Sequence, residues 1–220
     1  MKEVAEGVWR VPQRPRPIVN VYVAGDVLID AGGRTDIRRI RRAIGDRELS
    51  LLALTHVHPD HQGCAKVICE ERGIPLACHE ADVDAMEGRR PVRASNAIPA
   101  RIFAALWEGP PHEVERVLRE GDEVGGFRAI HAPGHAPGEV IFWREADRVA
   151  ICGDVVRNIT YVTLRTRIGE PPADLTPDVP ENRRSIRKLA DLRPAITLPG
   201  HGPEIVGPEP LERLAERSGV

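Results

Sequence analysis

One short stretch of this chain is crowded with residues that bind metals: Thr55-His56-Val57-His58-Pro59-Asp60-His61. It follows an apolar run, residues 51–54, whose length and composition predict a buried β-strand. A strand that ends in such a cluster delivers several side chains to one edge of a sheet. Neutral imidazoles and a carboxylate are typical ligands of zinc, iron or manganese. We therefore expect a metal site at the carboxyl end of this strand.

Three later segments share a pattern, in which a short apolar strand leads into glycine and a side chain that can bind a metal. Glycine in such turns lets the backbone approach a ligand closely. One loop rarely supplies every ligand of a two-metal site, so these segments are candidates for the rest. They are residues 127–138, which contain His135, residues 150–154, which end in Asp154, and residues 195–202, which contain His201.

Taken together, these segments resemble the metallo-β-lactamase superfamily, and within it the glyoxalase II-like and lactonase-like hydrolases. The resemblance runs from the predicted strands at residues 20–30 to His201. It implies an α/β fold, a four-layer αββα sandwich with the metals at one end of its two sheets. It also implies a complete ligand set: His56, His58 and His135 for the first metal, Asp60, His61 and His201 for the second, and Asp154 as the bridge between them.

The chain departs from these relatives around the ligand segments. Gly63-Cys64 stands where related hydrolases often have Gly-Gly, and Ala132 and Ala136 stand where hydroxyl residues are common. Glyoxalase II-like relatives often place a histidine where Glu139 stands. Residues next to metal ligands tune metal affinity. The departures leave the predicted metal ligands unchanged and concern which substrate the site accepts.

The resemblance implies a dinuclear metal-dependent hydrolase that attacks a small ester, thioester or lactone with a hydroxide bridging two divalent ions. Zn²⁺ is the first expectation, with iron and manganese as alternatives. Asp60 is the expected proton shuttle. Tyr161 follows the bridging ligand in sequence and is the expected donor to a substrate carbonyl, as in some lactonase-like relatives. Arg165 and Arg167 are candidates to pair with a substrate carboxylate or, alternatively, face solvent.

Two other activities occur in the same superfamily. One is a mononuclear iron oxidoreductase similar to persulfide dioxygenases, and the other is an RNA-processing nuclease. The formal net charge of −2 and the pI near 6.5 give no general basicity for nucleic acid. We therefore expect a small-molecule substrate and no nucleic-acid partner.

The candidate ligands lie between residues 56 and 201 and must converge, which predicts a single domain over residues 1–220. An insertion around residues 85–115 is a candidate lid or wall of the substrate pocket. No apolar run approaches the roughly 20 residues that span a bilayer, and the cysteines form no C-x-x-C pair. We expect a cytoplasmic protein with reduced cysteines and no membrane partner, and the sequence leaves a homodimer open.

The remaining secondary structure follows from periodicity and turn residues. We expect an edge strand at residues 8–11, a hairpin at 20–30 with its turn at Gly25-Asp26, and a strand at 74–78. Helices are expected within residues 36–49, 61–73, 80–86, 180–192 and 209–217, with Gly73 as a C-cap. Asp30 is equally consistent with supporting the ligand loop and with a simple turn. His79, His112 and His131 are expected to be structural or surface residues, and Cys152 is expected to pack in its strand.

Overall fold

The structure, a computed structural model, describes residues 1–13, 17–92 and 98–219, and only the backbone of residues 98–100 and 103. Within those ranges the first sheet has seven strands, ordered as in the sequence. They are β1 (Lys2–Ala5), β2 (Val8–Arg10), β3 (Tyr22–Ala24), β4 (Val27–Ile29), β5 (Leu51–Ala53), β6 (Leu76–His79) and β7 (Arg116–Leu118). β1 to β4 pair antiparallel and β4 to β7 pair parallel.

The second sheet has six described strands, in the order β13-β12-β11-β10-β9-β8. They are β8 (Glu123–Val124), β9 (Phe127–His131), β10 (Val140–Arg144), β11 (Val149–Gly153), β12 (Ile196–Pro199) and β13 (Ile205–Val206). β11 and β12 are parallel, and the other neighbours are antiparallel. β9 therefore runs in the same direction as β11 and β12, so the segments after these three strands leave the sheet at one end.

Helices cover both outer faces of the sheet pair. They are α1 (Ile37–Ile44), α2 (Pro59–Gln62), α3 (Ala65–Arg72), α4 (Val83–Met86), α5 (Ile98–Trp107), α6 (Val179–Asp191) and α7 (Glu209–Arg217), with 3-10 turns at Glu80–Asp82 and Ala173–Leu175. None of the helices in the described ranges combines the length and hydropathy required to span a bilayer.

Alternation along the strands separates the apolar side chains into layers. On the β3–β4 hairpin, Val23 and Leu28 pack towards α1 and α3, whereas Tyr22 and Ile29 pack between the sheets. A third cluster joins the outer face of the second sheet to α6 and α7. Successive side chains of a strand point to opposite faces, so each strand contributes to two apolar layers. The result is the four-layer αββα sandwich that the resemblance implies.

Several predicted elements are confirmed, and two are wrong. The hairpin turn, helix α7 and the left-handed C-cap at Gly73 (φ 62°, ψ 37°) lie where they were predicted. Residues 8–11 are not an edge strand, because β1 pairs outside β2. The single helix predicted over residues 61–73 is two helices, broken at Gly63-Cys64. There the Gly63 amide donates to Gly32 and the Cys64 thiol to Gly33, so this turn packs on the neighbouring loop.

Candidate metal centre

Three histidines form the first half of the candidate centre. His56 and His58 lie in the loop after β5, and His135 lies in the loop after β9. His58 Nδ1 is 3.1 Å from His56 Nε2 and 3.0 Å from His135 Nε2. A neutral ring nitrogen cannot donate to both neighbours, whereas a cation held between the three rings would accept all three lone pairs. The structure therefore brings together the three histidines that were predicted to hold the first metal.

The second half combines Asp60 and His61 of α2 with His201, which follows β12. Their ligand atoms lie within 4.8 Å of one another, and His201 Nε2 is 3.3 Å from Asp60 Oδ2. All three residues are buried. Proline at the first position of α2 starts a short helix directly after His58. His58 therefore precedes this helix, and Asp60 and His61 lie within it.

Asp154, at the end of β11, lies between the two halves. Its Oδ2 is 3.5 Å from His135 Nε2 and 3.0 Å from His201 Nε2. Its Oδ1 is 3.6 Å from His61 Nε2. The carboxylate thus lies near one candidate ligand of the first set and two of the second, and its role as a bridge remains a prediction.

Two buried atoms at this junction lack a hydrogen-bond partner among the described residues: His61 Nε2 and Asp154 Oδ1. Leaving a buried polar atom unpaired costs about 1–3 kcal/mol. A divalent cation at this position would satisfy both atoms, so the donor set fits a metal. The sets of neutral imidazoles and carboxylates are those that zinc, iron and manganese accept.

Electrostatics differ between the two halves. Burial, together with the neighbouring histidines, lowers the pKa of His58 to about 3 and that of His56 well below its usual value. Burial also lowers the pKa of His135 to about 4, against the opposing effect of Asp154. These three rings are therefore neutral at physiological pH, with lone pairs free to bind a cation.

In the second half, neighbouring carboxylates stabilise the protonated form of the histidines. Burial opposes the charged form of His61, but Asp30, Asp154 and Asp60 outweigh it and raise its pKa to about 9. The pKa of His201 is raised well above its usual value in the same way, with Asp154 as the main cause. In this metal-free geometry the imidazolium protons stand in for the charge that a metal ion would carry.

Comparisons with known proteins identify the family of this chain. The sequence profile of the Metallo-beta-lactamase superfamily matches residues 14–201. The chain belongs to the metallo-β-lactamase superfamily. It is 28% identical to the probable metallo-hydrolase YflN of Bacillus subtilis, over 93% of this chain and 87% of YflN. It is 31% identical to the hydroxyacylglutathione hydrolase GloC of Haemophilus influenzae, over 59% of this chain and 60% of GloC.

Solved structures of the superfamily share the fold. TTHA1623, solved in a di-iron-bound form, aligns with a TM-score of 0.67 at 27% identity, covering 94% of this chain and 98% of its own. A metallo-β-lactamase with a HARLDQ motif from Cronobacter sakazakii aligns with a TM-score of 0.70 over 99% of this chain and 90% of its own. Its identity of 21% shows a common fold alone.

Tyr161 lies beside the second half of the candidate centre. Its ring packs edge-on against His201, with 5.2 Å between ring centroids, and Arg157 lies over it at 5.5 Å. The residue remains 38% exposed. Arg165 and Arg167 are exposed on the same loop. The structure thus brings Tyr161 to the site, and substrate contact by the three residues remains a prediction.

The predicted lid packs beside the centre at its carboxyl-terminal end. Arg34 donates its amide to the Trp107 carbonyl at 2.9 Å, and Gln62 of α2 donates to the Gly109 carbonyl at 3.3 Å. On α5, Ile102 and Leu106 are more than half exposed. Residues 93–97 of the insertion lie outside the described residues, and its role as a lid remains a prediction.

Two of the remaining histidines pack on each other, and the four cysteines are buried. His79 and His131 stack on each other with ring centroids 4.0 Å apart. Cys152 is buried in β11 within the cluster under α6 and α7. Together with Cys64, Cys69 and Cys78 it is unpaired.

Sequence analysis missed two buried residues that hold the ligand loops. Asp82 accepts the amides of Val57 at 3.0 Å and Gly138 at 3.1 Å, and so links the first two ligand loops. Asn20 donates to the carbonyls of Pro199 and Gly202, both at 2.7 Å, on either side of His201. The position of Asp82 just after β6, next to the ligand-bearing β5, is a signal that points to the same sheet edge. The sequence around Asn20 carries no comparable signal.

Proposed function

We propose that this protein is a dinuclear metal-dependent hydrolase that acts on a small ester, thioester or lactone. The observation that carries the proposal is the position of Asp154, whose two carboxylate oxygens face ligands of both halves. Two divalent ions held there would supply Lewis acidity for an acyl carbonyl and lower the pKa of water. We propose Zn²⁺ first. The di-iron form of TTHA1623 makes iron the alternative to test.

The chain's own residues fit an acyl substrate. Asp60 is anionic, because His61 and His201 overcome the effect of burial and hold its pKa at about 2. It therefore serves as a ligand and as an acceptor for a proton on its way to the leaving group. Burial raises the pKa of Tyr161 above its usual value, so its hydroxyl stays protonated and donates to the substrate oxygen. The similarity to GloC, a hydroxyacylglutathione hydrolase, supports an acyl substrate for this chain.

The second half argues against the mononuclear iron oxidoreductase. That reading needs only the first-site histidines and the bridging aspartate. Here Asp60, His61 and His201 converge as a further complete set. A single iron in the first half would leave this second set unused and His61 Nε2 without a partner among the described residues.

A reducing compartment is consistent with the proposal. The four cysteines are unpaired and buried, as expected for proteins of the cytoplasm. We therefore propose a cytoplasmic enzyme with a small-molecule substrate.

Elemental analysis of protein purified without added metal tests the assignment, together with oxygen uptake and a screen of thioesters, lactones and esters. Near two ions per chain, hydrolysis of at least one acyl substrate and no oxygen uptake are expected. One iron per chain with persulfide-dependent oxygen uptake would instead establish the oxidoreductase. His58→Ala serves as the inactive control in both assays, since it removes the ligand that faces both other histidines of the first half.

A further inference from the structure

A continuous hydrogen-bonded chain connects the two halves of the centre from behind. His56 Nδ1 is 3.1 Å from Thr55 Oγ1, and Thr55 Oγ1 is 2.9 Å from Asp30 Oδ2. Asp30 Oδ2 is 2.9 Å from His61 Nδ1. All four residues are buried. His56 belongs to the first half and His61 to the second, so these residues, here named the rear chain, join the two.

Counting donors and acceptors fixes the direction of each bond in the rear chain. A carboxylate only accepts, and Asp30 already receives the Thr55 amide at 2.8 Å. The single hydroxyl proton of Thr55 is therefore donated to Asp30, as is the Nδ1 proton of His61. The Thr55 oxygen is left as an acceptor for the Nδ1 proton of His56. With Nδ1 protonated in both rings, Nε2 is the nitrogen left to bind a metal, and His61 would give up its second proton when the metal binds.

Glu139 ties the first half to the bridging aspartate. Its Oε1 lies 3.3 Å from His56 Nδ1 and accepts the Asp154 amide at 2.8 Å. The side chain is fully buried, and among the described residues no lysine or arginine pairs with it. Gly153 (φ 49°) makes room here, because a Cβ would lie 2.2 Å from Glu139 Oε1 and 2.7 Å from Thr55 Oγ1. His56 thus has two acceptors, of which only Thr55 leads to the second half.

We propose that Thr55 is a positioning residue shared by both metal sites, through a hydroxyl that sets the ring orientation of His56 directly and that of His61 through Asp30. The inference rests on the proposed function, because it requires two bound ions. Partners behind a metal-binding histidine fix its tautomer and orientation, and losing one costs about 10- to 100-fold in metal affinity. Removal of the Thr55 hydroxyl should therefore weaken the binding of both ions.

Thr176 provides a matched control. Its hydroxyl lies 3.3 Å from His135 Nδ1 and donates its own proton to the Pro172 carbonyl at 2.8 Å. It is thus a second threonine hydroxyl that accepts from a histidine of the first half. Its proton goes to a backbone carbonyl instead of Asp30, so it makes no link to His61.

The experiment is a titration of metal-free protein with Zn²⁺ against a chromophoric chelator, which gives both binding constants. In Thr55→Val both constants should fall, each by roughly 10-fold or more, and Thr55→Ser should restore them. Thr176→Val should lower one constant only. If Thr55→Val weakens one ion or neither, the shared role is wrong while the dinuclear site stands. If the unmodified protein binds fewer than two ions, the proposed function itself fails.

A measurement on the unmodified protein keeps the inference testable should a variant misfold. In ¹⁵N-histidine NMR spectra of the Zn²⁺-loaded protein, His56 and His61 should both be protonated at Nδ1. A proton absent from Nδ1 of either ring would overturn the bond directions assigned to the rear chain. Circular dichroism of each metal-free variant separates altered metal binding from lost fold.

Discussion

Gly200 occupies a position where a methyl group would collide with the bridging carboxylate. A Cβ at this residue would lie 2.2 Å from Asp154 Oδ1 and 2.7 Å from His61 Cε1. Gly200 does not adopt a positive φ, so alanine meets no left-handed backbone strain here. Gly200→Ala therefore tests the space around the centre alone.

The size of the effect follows from these distances. Cβ contacts below 3.0 Å essentially never occur in proteins, so the Asp154 oxygen at 2.2 Å must retreat by at least the difference, about 0.8 Å. Functional geometry tolerates about 0.5 Å, and a 1 Å misplacement costs on the order of 10²-fold in rate. We expect kcat/KM to fall by about 10²-fold and the number of ions per chain to drop below two. Overpacking should cost about 1–3 kcal/mol of unfolding free energy.

Gly169→Ala is the matched control on the loop that follows Asp154. A Cβ there would lie 3.5 Å from Arg157 Nη2, an ordinary contact. Elemental analysis, hydrolysis of the preferred acyl substrate and urea unfolding are measured on both variants. Two ions per chain and near-normal turnover in a folded Gly200→Ala protein would refute the bridging geometry described above.

Further predictions address the ligands, the tyrosine, the metal and pH. Alanine at His58 or at Asp154 should abolish hydrolysis and leave the circular dichroism spectrum mostly intact; activity in both variants would contradict the assignment. Tyr161→Phe should lower kcat by about 10²-fold without changing metal content, and unchanged kcat would remove the tyrosine from the reaction. Chelation should lower the Tm and Zn²⁺ should restore it; a Tm indifferent to chelator would argue against a bound ion. Partial burial opposes ionisation of Glu204, but cationic side chains of β1 and β2 outweigh it and hold its pKa at about 2. Its ionised form thus stabilises the fold above pH 4.5, and this stabilisation is lost as the pH falls towards 2. Glu204→Gln should lower stability at neutral pH and flatten the acid limb of a pH–stability curve, and an unchanged acid limb would exclude the ion pairs as its cause.

The predictions that succeeded rest on local signals. The apolar strands before the ligand segments, the turn at Gly25-Asp26 and the cap at Gly73 are each determined within a few residues of sequence. The predictions that failed depend on distant partners. β2 is covered by β1 because an additional strand pairs outside it. The helix at 61–73 breaks because the Gly63 amide meets the loop at Gly32, about thirty residues earlier.

The site divides in the same way. Ligand types and their order could be predicted, because each follows a strand and carries its chemistry in its own side chain. Asp82 and Asn20 were missed: only the position of Asp82 after β6 points to this sheet edge, and carboxylates and amides are common on protein surfaces. Their function depends on which backbone groups the fold brings to them.

By itself, the sequence determined which side chains are available to bind metal ions and that they sit at strand ends. Only the tertiary structure decided how those side chains are held. His56 lies next to Glu139, which directly precedes β10 of the second sheet. His61 lies next to Asp30, which directly follows β4 of the first sheet. Imidazole tautomers, the charge of the buried carboxylates and the bridging position of Asp154 depend on these contacts. The physical reason is that burial and hydrogen-bond partners are properties of the packed chain, whereas ligand chemistry belongs to each residue.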